Sequence, residues 1–114
     1  MKMPKKVIVG TQTWEIVERA RTNDGMLSED NFGYTLQKDN RIFIDVDISP
    51  SRKRQTLLHE LFHAVRFTMG GYSPPKKSDD VDTWEHYFIA MYEEGLLSIL
   101  QNNPEVLSFL LEKE

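Results

Sequence analysis

With 114 residues and no cysteine, the chain can build one compact domain but no second lobe, and any metal it holds must be bound by imidazole or carboxylate. A net charge of −4, with basic residues confined to short runs such as Arg52-Lys53-Arg54, argues against a general phosphate-backbone binder. No segment has the apolar length of a membrane span or a signal sequence, so neither a nucleic-acid nor a membrane partner is expected and the chain reads as cytoplasmic.

Val7-Ile8-Val9 and Thr13-Trp14-Glu15-Ile16-Val17 carry β-branched and aromatic residues on either side of Gly10-Thr11-Gln12, which predicts a hairpin. Residues 21–33 have loop composition, rich in Asn, Asp, Gly and Ser. Tyr34 to Gln37 predicts a short strand and Asp39-Asn40 a turn. Arg41-Ile42-Phe43-Ile44-Asp45-Val46 is the clearest strand of the sequence.

Ser49 before Pro50 forms a helix start, a hydroxyl N-cap next to a proline. Leu57, Leu58, Leu61, Phe62, Val65 and Met69 then recur at helical spacing until Gly70-Gly71. Leu58, Leu61, Phe62 and Val65 are expected to face the core. Residues 70–82 are polar and carry two prolines. Asp82 or Thr83 can cap a second helix to about Gln101, with Phe88, Ile89, Tyr92, Leu96, Ile99 and Leu100 as its apolar ridge. Asn102-Asn103-Pro104 breaks that helix and opens a short third one carrying Val106, Leu107, Leu110 and Leu111, able to pack in cis or against a second copy. The expected architecture is α+β: a single domain over residues 1–114, with a small antiparallel sheet of three or so strands on two main helices and a short C-terminal helix.

Within the first predicted helix lies His59-Glu60-Leu61-Phe62-His63. Imidazoles at i and i+4 share one helical face and can share one metal ion, and the adjacent carboxylate of Glu60 can take a proton from an activated water. Two histidines and a glutamate gathered on an otherwise apolar helix are hard to explain as ordinary helix residues. A catalytic zinc needs a third protein ligand and an open position, and the start of the second helix offers Glu85 and His86. Glu85 leads the ridge Phe88, Ile89, Tyr92 and Leu96; His86 leads the neighbouring one with Ile89, Ala90 and Glu93. Glu85 is the first choice and His86 the alternative. His86 or Tyr87, and less directly Tyr72, are candidates to donate a hydrogen bond to a tetrahedral oxyanion. Asp79, Asp80 and Asp82 read as an acidic helix N-terminus, and Glu93 and Glu94 as solvated positions.

The run Thr56-Leu57-Leu58-His59-Glu60-Leu61-Phe62-His63-Ala64-Val65, preceded by the strand at Arg41 and followed by a helix with an acidic start, resembles the small zincins of the ImmA/IrrE-like metallopeptidase type, including minimal phage- and prophage-encoded members. The likeness covers residues 33 to 100. It implies a minimal zincin-like domain with one zinc ion on His59, His63 and Glu85, and Glu60 as general base. In that pattern small residues follow the third ligand, where this chain has Phe88 and Ile89. The expected activity is zinc-dependent hydrolysis of a protein or peptide substrate. The substrate would be paired to an exposed edge of the Arg41–Val46 strand, with residues 70–82 as a flap. The alternative is a non-proteolytic zinc-binding or assembly module on the same scaffold.

Overall fold

The computed structural model describes residues 2–71 and 73–113. Hairpin strands β1 (Lys6–Val9) and β2 (Gln12–Arg19) pair antiparallel, as expected. Gly10 makes their turn possible with a φ of +59°, a left-handed conformation that glycine adopts without a Cβ penalty. A single 3-10 turn (Arg21–Asn23) opens the long loop to β3 (Gly33–Leu36), and a tight turn with Asn40 at φ +52° leads into β4 (Arg41–Asp45). Three helices follow among the described residues: α1 (Pro50–Met69), α2 (Val81–Asn102) and α3 (Pro104–Leu111). Ser49 caps α1, its hydroxyl accepting from the Arg52 amide at 3.3 Å. Asp80, rather than Asp82 or Thr83, caps α2 by accepting from the Thr83 amide at 2.9 Å. Among the described residues no helix is long and apolar enough to cross a membrane.

The α+β architecture is as expected, but the sheet differs from the one anticipated. It has four strands in the order β1-β2-β4-β3, and the β2–β4 pair is parallel, so the sheet is mixed rather than antiparallel. The reason lies in the residues of β4. Ile42, Phe43 and Ile44 are all buried, and a strand that is apolar on both faces belongs inside a sheet. The chain therefore lays β3 outside and returns β4 between β3 and β2. The expectation that the Arg41–Val46 strand offers an exposed edge is thereby corrected: the edge on that side is β3.

The core joins Val7, Val9, Trp14 and Ile16 of the hairpin to Ile42 and Ile44, then to Leu57, Leu61, Ala64 and Val65 of α1, Ile99 of α2, and Val106 and Phe109 of α3. The third helix thus packs in cis. On α1, the rotation differs from the expected one. Leu58 and Phe62 are 42% and 36% exposed, while Glu60 and Ala64 are buried. On α2 the buried positions are Met91, Gly95 and Ile99, and Phe88 and Ile89 of the expected ridge are exposed.

Gly95 sets the crossing of the two long helices: a Cβ there would lie 2.4 Å from Cγ1 of Val65. Alanine is intrinsically favoured over glycine in a helix by about 1 kcal/mol. Val65 is fully buried and stiff at χ1, so it cannot yield, and overpacking of this kind costs about 1–3 kcal/mol. Gly95→Ala is therefore expected to lower stability by about 0–2 kcal/mol net, read as a fall of up to several degrees in Tm; a raised Tm would contradict the close crossing.

The long loop is tied to the sheet by Asp24. Its carboxylate accepts from the Tyr34 hydroxyl and from the Met26 amide, and Arg19 lies 3.7 Å away. The Tyr34 hydrogen bond holds this carboxyl below its ordinary value, against the opposing effect of burial. Burial together with Asp24 pushes the phenol of Tyr34 up to about 12. A carboxylate depressed in the folded state contributes stability that is present above about pH 4 and lost as pH falls through its folded pKa. Removing the phenolic donor with Tyr34→Phe is expected to lower Tm at pH 7 and to flatten its decline between pH 5 and pH 2. Parallel Tm-versus-pH curves for the two proteins would contradict this coupling.

Candidate active site

The rotation of α1 decides which side chains meet. Each residue advances about 100° around a helix, so once Leu57, Leu61, Ala64 and Val65 face the core, Glu60 falls at the edge of their arc, between them and the buried Thr56. His59 and His63 fall just outside it, on the rim towards β3. Glu60 is accordingly 4% exposed, whereas the His59 side chain is 68% exposed and His63 is exposed as well. The two imidazole rings lie with centroids 5.1 Å apart, the i,i+4 juxtaposition the sequence anticipated. Nε2 of His59 stands 3.8 Å from Oε2 of Glu60.

The other carboxylate oxygen is held from the sheet. The Thr35 hydroxyl, in the middle of edge strand β3, donates to Oε1 of Glu60 at 2.9 Å. A buried carboxylate is costly unless hydrogen-bonded, and among the described residues Thr35 is its hydrogen-bond donor. Thr35 carried no sequence signal: an isolated threonine in a short strand is ordinary, and its pairing with Glu60 depends on β3 being the edge next to α1.

Strand β3 runs alongside α1 in the same direction. A Cβ on Gly33 would lie 2.8 Å from the Thr56 methyl, so the glycine lets the strand come close at the start of the groove. Thr35 meets Glu60 in the middle, and Gln37 borders a cavity with Arg66 and Phe67 at the far end. A smaller cavity of about 250 Å³ lies at the near end, lined among others by Asp30, Arg52, Gln55, His59 and Glu60. The motif therefore sits in the middle of a groove between a helix and an open strand edge.

The residues expected from α2 are placed differently. Glu85 and His86 are both exposed, and Nε2 of His86 lies 3.6 Å from Oδ1 of Asp82 on its own helix. Among the described residues no group of three histidine, aspartate or glutamate side chains is assembled around one point. The structure thus sets His59 beside both Glu60 and His63, and does not bring Glu85 or His86 to them. The inward line of α2 runs through Met91, Gly95 and Ile99, and one turn earlier it reaches Tyr87, which is half-buried and borders the far cavity. Of the expected oxyanion donors, Tyr87 is the one on the groove side; Tyr72 lies outside the described residues. Glu93 and Glu94 are exposed, as anticipated.

The donor chemistry suits zinc. Two imidazoles on a rigid helix are good ligands for that ion, and their exposure leaves coordination positions open. Comparison with protein-family models, with curated proteins and with solved structures gives no match.

Proposed function

We propose that the chain is a zinc-dependent peptidase in which His59 and His63 hold the ion, Glu85 completes the ligand set with His86 as its alternative, and Glu60 is the general base. The observation that carries this reading is the buried Glu60 carboxylate, fixed on one side by Thr35 and open on the other towards the exposed histidine pair. A helix built only for packing would place an apolar residue at position 60, in line with Leu57, Leu61 and Ala64. When bound, zinc would polarise the scissile carbonyl and acidify water for attack near neutral pH.

The remaining steps belong to the chain. Glu60 takes a proton from the attacking water as the new C–O bond forms at the peptide carbonyl. It returns that proton to the amide nitrogen as the C–N bond breaks, so the carboxylate ends as it began. Thr35 keeps the carboxylate in one rotamer through both transfers. The open edge of β3 can take an extended peptide as an added strand, aligning its backbone with α1 and with Glu60. Tyr87 is positioned on the groove side to donate to the developing oxyanion.

The alternative of a non-proteolytic zinc-binding or assembly module is favoured by one observation, the lack of an assembled three-ligand group among the described residues. Zinc content and peptide cleavage distinguish the two. Glu60→Gln is expected to retain zinc and lose about 10²- to 10⁴-fold in kcat, while His63→Ala loses zinc. Of Glu85→Ala and His86→Ala, the one that weakens zinc affinity more than about tenfold identifies the third donor. A native chain that takes up zinc but cleaves nothing, with Glu60→Gln behaving identically, would leave the binding module.

Thr35→Val keeps the side-chain shape and removes the donor to Glu60. It is expected to lower kcat by about tenfold or more with little change in KM, and Thr35→Ser should restore most of the loss. A loss in Thr35→Ser with Thr35→Val unaffected would show that the threonine methyl, and not its hydroxyl, matters.

A further inference from the structure

The groove continues past the histidines. Phe67 stacks near His63, ring centroids 6.2 Å apart and 22° between planes, and with Arg66, Gln37, Tyr87 and Met91 it borders a cavity of about 400 Å³. Gln37 directly follows β3, so the cavity lies at the end of the same strand edge that faces Glu60.

Arg66 is the one charged side chain bordering this cavity among the described residues. Arg19, Arg21 and Arg41 each stand within ion-pair distance of a carboxylate. Arg66 does not among the described residues, and its guanidinium instead lies 5.7 Å from the ring centroid of Phe67. Among the described residues none bordering the cavity is acidic. The cavity at the other end carries both signs, with Asp30 and Glu60 against Arg52. One end of the groove thus already holds carboxylates beside its cation, while at the other Arg66 is the one charged side chain among the described residues. A guanidinium presents a planar fork of donors that matches a carboxylate, and Phe67 and Met91 supply apolar walls for the methylene stem of an acidic side chain.

We propose that the Arg66–Phe67–Tyr87 cavity is a specificity site for a substrate carboxylate. The inference rests on the peptidase reading for the meaning of "substrate", although the carboxylate site itself can be tested without it. Six helical residues separate Glu60 from Arg66, about 9 Å along the axis. An extended peptide advances about 3.3 Å per residue, so the carboxylate belongs two or three residues from the scissile bond. It is either an Asp or Glu side chain or the carboxyl terminus of the peptide.

The test uses the Glu60→Gln chain, so that no probe is cleaved, and three acetylated alanine-based octapeptides. One carries a central Glu and an amidated end, the second a central Gln and an amidated end, and the third a central Gln and a free terminal carboxylate. Binding is followed by amide chemical shifts at Arg66, Phe67 and Tyr87. Because Arg66 is exposed, a modest preference is expected: the Glu peptide or the free-acid peptide binds roughly three- to tenfold more tightly than the amidated Gln peptide. Which of the two does so separates side-chain from terminal recognition. Arg66→Ala should abolish the difference, and Arg66→Glu should transfer the preference to a Lys peptide. Equal affinity for all three peptides, or a preference that survives Arg66→Ala, overturns the proposal.

Cleavage of a denatured protein mixture by the native zinc-loaded chain is the second arm. Acidic residues, or newly cut chain ends, should be enriched two or three positions from the cut, and the enrichment should vanish in Arg66→Ala. Cleavage without enrichment removes the specificity site and leaves the peptidase. Carboxylate binding that depends on Arg66, with no cleavage, removes the peptidase and leaves the site.

Discussion

A carboxylate buried between a helix and a strand edge is the constraint around which the rest of the molecule is arranged. Glu60 lies inside the buried arc of α1, where it needs a hydrogen-bond donor from whatever packs against it. The neighbouring strand must therefore carry a polar side chain at that height. Strand β4, with Ile42, Phe43 and Ile44, offers none. Strand β3, with Thr35 opposite, does. Placing β3 outside β4 satisfies two demands at once: the apolar strand is buried on both faces, and a hydroxyl reaches the carboxylate. The same placement leaves an open backbone edge beside the histidines, to which a substrate strand would add on the proposed reading.

How much of this was legible in the sequence follows from how local each signal is. The hairpin around Gly10, the turn at Asn40, the Ser49 cap and the break at Pro104 all depend on a few adjacent residues, and all stand where local chemistry puts them. Sheet order depends on pairing between distant segments. Its clue was present in the unbroken apolar run of β4, which marks an interior strand, but helical and strand periodicity alone does not weigh that clue. The rotation of α1 was misjudged because Leu58 and Phe62 outweigh Ala64 and Glu60 on any hydrophobicity scale. In the fold, small Ala64 goes inward because the sheet lies close, and the larger residues flank it.

The same lesson applies to α2, with greater consequence for the site. Gly95 adds nothing to an apolar ridge, yet it occupies the point of closest approach to α1. Of the expected ridge Ile99 is buried and Tyr92 and Leu96 pack against the core, but Phe88, Ile89 and Leu100 are exposed, and the buried line runs through Met91, Gly95 and Ile99. The expectation that Glu85 faces the first helix rested on the expected ridge. The structure turns Tyr87 towards the groove in its place. Histidine spacing on one helix could be read directly; a ligand on a second helix required the rotation of both.

The burial pattern of α2 bears on how a third ligand can be recruited. Its buried residues, Met91, Gly95 and Ile99, all lie beyond its first ten positions. The turns that carry Glu85 and His86 expose Val81 at 82%, and Phe88 and Ile89 at 49% each. At about 25 cal/mol per Å² of apolar surface, displacing these turns sacrifices little, whereas displacing the Gly95 crossing would expose the core around Val65. The histidine pair stands on the opposite footing, since α1 is capped at Ser49 and packed along its length against the sheet. On the proposed reading, two ligands stand on the firmly packed helix and the third on the less buried turns of α2. The closing of such a set would fall to α2's first turns, with α1 as the fixed side, and would sacrifice little buried apolar surface.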